Sequence, residues 1–133
     1  MKAASIDIAQ ILDTGFASLT FATNLFVGKE PTSPDNCVTI YDTPGREPQL
    51  TFDRSEKYFY PAIQVRVRDR AYQDGWDMIN DIKEFLHGLS GQIKNSSEYT
   101  LIRCAGEPFM LEWDANNRAV FVCNFDLQRK PTT

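Results

Sequence analysis

The chain has 133 residues, 42% of them hydrophobic and 24% charged, with a net charge of −4 at pH 7. That length suits one compact domain, and the composition is that of a globular protein, not a disordered one. No apolar run approaches the roughly 18 residues that cross a bilayer, and the acidic balance argues against generic binding to a nucleic-acid backbone, which needs clustered Lys and Arg.

The first residues, MKAASIDIAQILDTG, carry one lysine and an early Asp7, and read as a short helix rather than a signal peptide. Ser5 is the expected N-cap, Ile8, Ile11 and Leu12 form the apolar stripe, and Gly15 is the stop. The apolar, Thr- and Phe-rich segment that follows predicts a short strand around Leu25 to Val27. Pro31, Ser33, Pro34, Asp35 and Asn36 form a turn cluster. CVTIYD, Cys37 to Asp42, reads as a strand in which Val38 and Ile40 share one face.

The segment Thr43 to Tyr60 holds Pro44, Gly45 and Pro48 and shows no sustained periodicity, so a long loop is expected there. It also carries Leu50, Phe52, Tyr58, Phe59 and Tyr60. Disordered linkers are poor in aromatics, so the loop either folds back on its own core or contacts a neighbouring subunit. The next stretch is the most ordered of the chain. Ile63, Val65 and Val67 alternate with Gln64, Arg66 and Arg68, which is the period of a strand with one buried face. Near Asp69 the period becomes helical, with Tyr72, Trp76, Ile79, Ile82, Leu86 and Leu89 spaced by three or four. Gly88 and Gly91 end that helix.

Strands are expected over Tyr99 to Ala105, Phe109 to Asp114 and Ala119 to Leu127, with a hairpin turn at Asp114 to Asn117. The last strand is apolar on both faces around Ala119 to Cys123, which suits the middle of a sheet. Arg129 to Thr133 reads as a frayed polar tail. There is no internal repeat, low-complexity tract or second domain. The expected fold is α+β, a single domain with a mixed or antiparallel sheet of about four to six strands flanked by two helices.

Catalytic signatures are missing from the pattern. The seven glycines are scattered as turn and cap residues, no GxSxG elbow exists, and a hydrolase would depend on His87, the only histidine. His87 falls in the last turn of a helix, where a positive charge suits the dipole. Asp74, Asp77 and Asp81 recur at helical spacing opposite the apolar stripe and read as a solvated acidic face. Asp42, Asp53, Glu112 and Asp126 could serve a metal-dependent nuclease or hydrolase only if the fold gathered them. Cys37, Cys104 and Cys123 lie far apart with no CxxC pair and read as small buried hydrophobes in a reducing compartment, one disulfide plus a free thiol being the alternative. The reading is therefore not an enzyme, with no cofactor and no metal.

Two blocks, VTIYDTPGREP from Val38 to Pro48 and PAIQVRVRDRAYQDGWDMINDIKEFLHGL from Pro61 to Leu89, resemble the tail terminator or minor capsid proteins of long-tailed bacteriophages. The matching residues are Tyr41, Asp42, Thr43, Gly45, Pro61, Gln64, Arg66, Arg68, Tyr72 and Leu86 to Gly88. Pro44 departs from the second glycine usual in that turn. The resemblance implies a virion protein that assembles as a hexameric ring at the head-proximal end of the tail, caps the tail tube, ends its polymerisation and offers a surface for head-tail joining. Its implied partners are further copies of itself, the tail tube protein and head-tail connector proteins, assembled in the host cytoplasm. Neither a membrane nor sequence-specific nucleic acid is expected as a partner, apart from a genome threading the ring lumen. Another connector or a tail-completion protein is the nearest alternative. Ring closure needs a heterologous interface, and the residues expected to form it are Asp42, Arg46, Phe52, Tyr58 and Phe59 on one side and Gln64, Arg66 and Arg68 on the other.

Overall fold

Strand alternation and helical periodicity together put one apolar surface on each element, and burying those surfaces against one another generates the fold. The computed structural model describes residues 1–49 and 57–132. In chain order it contains α1 (Ala4–Gly15), β1 (Leu25–Val27), β2 (Cys37–Arg46), β3 (Tyr60–Asp69), α2 (Tyr72–Leu86), β4 (Gln92–Lys94), β5 (Ser97–Cys104), β6 (Phe109–Trp113) and β7 (Ala119–Pro131). The strands form one mixed sheet in the order β1-β2-β3-β7-β5-β4, with β6 also paired to β7. Only the β1–β2 pair is parallel among these pairings.

β7 is the spine. One of its edges pairs with β3 along the whole of Ala62 to Asp69, and the other carries β6 and β5 end to end. Its central place agrees with its burial on both faces, Ala119 to Cys123 being wholly enclosed. Register fixes which side chains share a face. Val38 and Ile40 stand opposite Val67 and Val65, and Phe121, Cys123 and Phe125 stand opposite Val67, Val65 and Ile63. These residues form the core face, covered by Ile8, Ile11 and Leu12 of α1 and Ile79, Ile82 and Leu86 of α2. Each fully buried Ile or Leu contributes roughly 1.5–3 kcal/mol relative to exposure. The two helices meet at the edge-to-face pair Phe16–Phe85, whose centroids lie 5.2 Å apart. Gly15 permits that meeting, because a Cβ there would overlap the Phe85 ring. No helix among the described residues is long and apolar enough to cross a membrane.

Several elements differ from the sequence-based expectation. Helix α1 begins at Ala4, so Ser5 lies inside its first turn, and Ala3 occupies the cap position without a side-chain bond. β2 continues past Asp42 to Arg46, so Thr43 to Arg46 is strand and not loop. Gly45 makes this possible: a Cβ there would overlap the Tyr60 carbonyl oxygen. β4 is an additional strand, joined to β5 by Asn95 and Ser96, both at positive φ. Arg129 to Pro131 is no frayed tail. It pairs with Ser97 to Tyr99, and Arg129 exchanges two backbone hydrogen bonds with Phe59 at 2.8 and 2.9 Å.

Candidate interaction surfaces

Both helices lie on one side of the sheet, so the opposite face is where β3 presents its polar residues. Gln64 stands between Tyr41 and Asn124, Arg66 between Thr39 and Val122, and Arg68 between Cys37 and Val120. Gln64 Nε2 donates to Asn124 Oδ1 at 3.0 Å, and Arg66 Nε donates to Gln64 Oε1 at 2.8 Å. The Arg66 guanidinium also lies 5.1 Å from the centre of the Tyr41 ring. A polar ladder therefore runs across three strands and leaves Arg66 half-exposed at the surface.

Arg68, two residues on, has another environment. The segment 29–36 folds over that end of the sheet and buries its side chain to 3% exposure. Arg68 donates to the carbonyls of Pro31, Pro34 and Asp35 at 2.5, 2.6 and 3.1 Å, with Glu30 3.6 Å away. Arg118, also buried, donates to the Thr32 carbonyl at 2.7 Å and to the carboxylates of Asp114 and Asp35 at 2.8 and 3.2 Å. Arg70 donates to the other oxygen of Asp35 at 2.5 Å. The Arg70 hydrogen bond, with help from Arg118, holds the Asp35 carboxyl below its ordinary value. Burial pushes the Asp114 carboxyl up, but hydrogen bonds from the Arg118 main chain and side chain outweigh it and leave the group lowered. Three arginines thus fasten segment 29–36 to the sheet.

The expected interface residues separate accordingly. Gln64 and Arg66 are half-exposed on the open face, and Arg46 is exposed with its guanidinium 4.2 Å from the Tyr60 ring centre. Tyr58 and Phe59 are half-buried, Phe59 paired with Arg129 and Tyr58 lying 5.9 Å from the Lys130 ammonium. Phe52 lies outside the described residues. Arg68 is enclosed within its own chain. Asp42 faces α1, where its carboxylate accepts from the Ser5 main-chain N–H at 3.0 Å and the Ser5 hydroxyl at 2.7 Å.

Among the described residues, Asp42, Glu112 and Asp126 do not converge into a metal site. Asp42 stands opposite Ile63 on the helix-covered side, while Asp126 stands opposite Ala62 on the open side and pairs with Arg103 at 3.1 Å. Asp53 lies outside the described residues. Among the described residues no group of three or more His, Cys, Asp or Glu side chains is placed to hold a metal ion. Asp74, Asp77 and Asp81 are all exposed on α2. His87 caps the C-terminal end of α2, and its Nδ1 accepts the Cys104 backbone N–H at 2.9 Å.

One surface is not legible in the sequence. β6 has no described strand on its outer edge and exposes Phe109, Leu111 and Trp113 to 45%, 43% and 51%. Its FMLEW sequence signals an apolar strand, but only the sheet order reveals that it forms an edge. Such an edge presents unpaired backbone donors and acceptors beside apolar side chains, a template for pairing with another chain.

A family model described as bacteriophage tail terminator protein matches residues 5–131, nearly the whole chain. The chain belongs to the bacteriophage tail terminator family. No curated protein matches it in sequence. As a tail terminator it has a structural role in the phage tail and interacts with tail proteins. The open sheet face and the β6 edge are therefore surfaces of a tail component.

Proposed function

We propose that this tail terminator closes into a ring of identical copies, six in number, at the head-proximal end of the tail. There it caps the tail tube, ends its polymerisation and gives the head connector a surface to bind, with assembly in the host cytoplasm and no bond made or broken. The observation that carries this reading is the apolar β6 edge, which a lone protomer leaves in water and a neighbour would cover. The open face of Gln64 and Arg66, and the arm bearing Arg46, Tyr58 and Phe59, supply the second, different patch that a heterologous ring needs. The whole of 1–133 acts as one domain in this reading. Arg68 is left out of the contact, since its own chain encloses it, while Asp42 holds α1 and stays exposed beside that arm. A connector or tail-completion role would use the same surfaces at another position on the particle.

The test combines the mass of the oligomer, with and without purified tail tubes, and its position on assembled particles by electron microscopy. A six-fold mass and density at the head-proximal tube end are expected. Charge reversal at Arg66 together with Arg46 should weaken the ring while the monomer stays folded. A protein that stays monomeric even on tubes, or sits elsewhere on the particle, would reject the proposal.

A further inference from the structure

Two of the three cysteines, distant in sequence, meet in the fold. Cys104 ends β5 opposite Phe125 of β7, which makes Cys123 its diagonal neighbour on the same face. Their sulfurs lie 3.3 Å apart and are both free thiols. The chain between β5 and β6 stays on β7, with the Ala105 N–H donating to the Asn124 carbonyl at 2.8 Å. This link turns the Gly106 carbonyl onto the pair, accepting from Cys104 Sγ at 2.6 Å and facing Cys123 Sγ at 3.8 Å. Cys123 is wholly buried, whereas Cys104 is half-exposed, beside the exposed residues Ala105 to Glu107. Cys37 lies on β2, two strands away from β7.

We propose that Cys104 and Cys123 are a redox-active dithiol that closes to an intramolecular disulfide on meeting an oxidised low-molecular-weight thiol. The accessible Cys104 acts first. Its thiolate attacks one sulfur of the small disulfide, whose S–S bond breaks and releases one small thiol carrying the Cys104 proton. Cys123 then attacks Cys104 Sγ in the mixed disulfide, and the second small thiol departs with the Cys123 proton. Two protein thiols and one small disulfide become one protein disulfide and two small thiols, so two electrons and two protons leave the protein. Burial pushes the Cys123 thiol up, which makes the second step the slower one, while the nearby Lys83 ammonium favours its thiolate. The closed bond would fix the link that carries β6, and with it the exposed edge, to the spine strand. Its chemistry is independent of the ring reading.

The full-length protein is incubated with oxidised glutathione, denatured, alkylated with iodoacetamide and mapped by mass spectrometry. The expected product is lighter by two hydrogens before alkylation, takes up a single alkyl group at Cys37, and yields one peptide joining Cys104 to Cys123. Its Tm rises by several degrees and returns with dithiothreitol. Cys37→Ala should still close the bond, and Cys104→Ser should not. Three alkylatable thiols after oxidation, a lasting glutathione adduct on Cys104, or a bridge that includes Cys37 would each overturn the proposal. Mapping of the wild-type chain decides the matter even where Cys104→Ser fails to fold.

Discussion

The Asp42 carboxylate on β2 holds the first turn of α1 by accepting both the main-chain N–H and the hydroxyl of Ser5, at 3.0 and 2.7 Å. A helix leaves its first N–H groups without partners, and a carboxylate there both satisfies a donor and complements the dipole. Here the capping group comes from 37 residues away, so one contact caps the helix and docks it on the sheet. Asp42→Ala should destabilise the protein by about 1–2 kcal/mol, and Ser5→Ala by about 1 kcal/mol. Urea unfolding of the single and double variants measures this. Full additivity of the two losses would show that the residues do not act together.

Arg66 and Arg68 share a strand face but should respond oppositely. Arg68→Met removes the donors to three carbonyls under segment 29–36, and should cost about 3 kcal/mol or more. Arg68→Lys should recover little, since a point charge cannot span three carbonyl acceptors. Arg66→Met, losing one side-chain bond and a ring contact at a half-exposed site, should cost less than about 1 kcal/mol. Equal losses of stability for the two methionine variants would contradict this division.

Those two arginines also mark the limit of what the sequence discloses. The alternation in IQVRVR specifies the strand and its two faces, because the period of two is a local property of the backbone. Nothing local distinguishes Arg66 from Arg68. The difference arises when a segment more than 30 residues earlier folds over one end of the sheet. The same reason hides the Asp42 cap, the free edge of β6 and the approach of Cys104 to Cys123. Each depends on long-range pairing that register decides after the strands exist. β4 is hidden in the sequence for another reason. Three residues, Gln92 to Lys94, are too few to show a period, and the Asn95-Ser96 turn lacks the glycine that usually flags a two-residue hairpin.

Acid should loosen segment 29–36 before the rest of the fold. The carboxyls of Asp35 and Asp114 are both held below their ordinary value of 3.8. A group with a depressed folded-state value stabilises the fold fully above its unfolded-state value. That contribution is lost as the pH falls through the folded-state value. NMR should therefore show the Nε–H signals of Arg68 and Arg118, the side chains that hold the segment, unchanged down to about the ordinary carboxylate range and shifting below it. In Asp35→Asn those signals should be displaced already at neutral pH and change less with acid. Shifts beginning near pH 7 in the wild type would assign the segment's hold to other groups.

Gly45 should tolerate no side chain. A Cβ at this position would overlap the Tyr60 carbonyl oxygen and crowd Pro61, backbone atoms that cannot swing aside. Gly45→Ala should cost about 1–3 kcal/mol and displace the pairing of Arg46 with Tyr60. NMR shift changes confined to Thr43 to Arg46 and Tyr60 to Ala62 are the expected signature. If ring closure uses this arm, the variant should also lower the oligomer mass at a temperature where the monomer remains folded.

The chain's last strand fastens its first helix through a buried polar cluster. Asp7, wholly enclosed on α1, accepts from the Tyr99 hydroxyl and from Asn95 Nδ2 at 2.6 Å, with Arg129 Nη1 3.6 Å away. Arg129 Nη1 also donates to the Lys2 carbonyl at 2.9 Å and to the Tyr99 hydroxyl at 3.1 Å. Burial, together with the Asp7 hydrogen bond, raises the Tyr99 phenol above its ordinary value, so it stays a donor throughout the accessible pH range. Tyr99→Phe leaves the enclosed carboxylate without one donor and should cost about 1–3 kcal/mol. Arg129→Ala should cost a similar amount, and the pair should be strongly non-additive, since both serve the same carboxylate. Asp7→Asn keeps the shape but removes the charge, and should make a following Arg129→Ala nearly neutral. Chemical unfolding of these variants in a double-mutant cycle reads the coupling, and independent losses would mean that the cluster does not work as a unit.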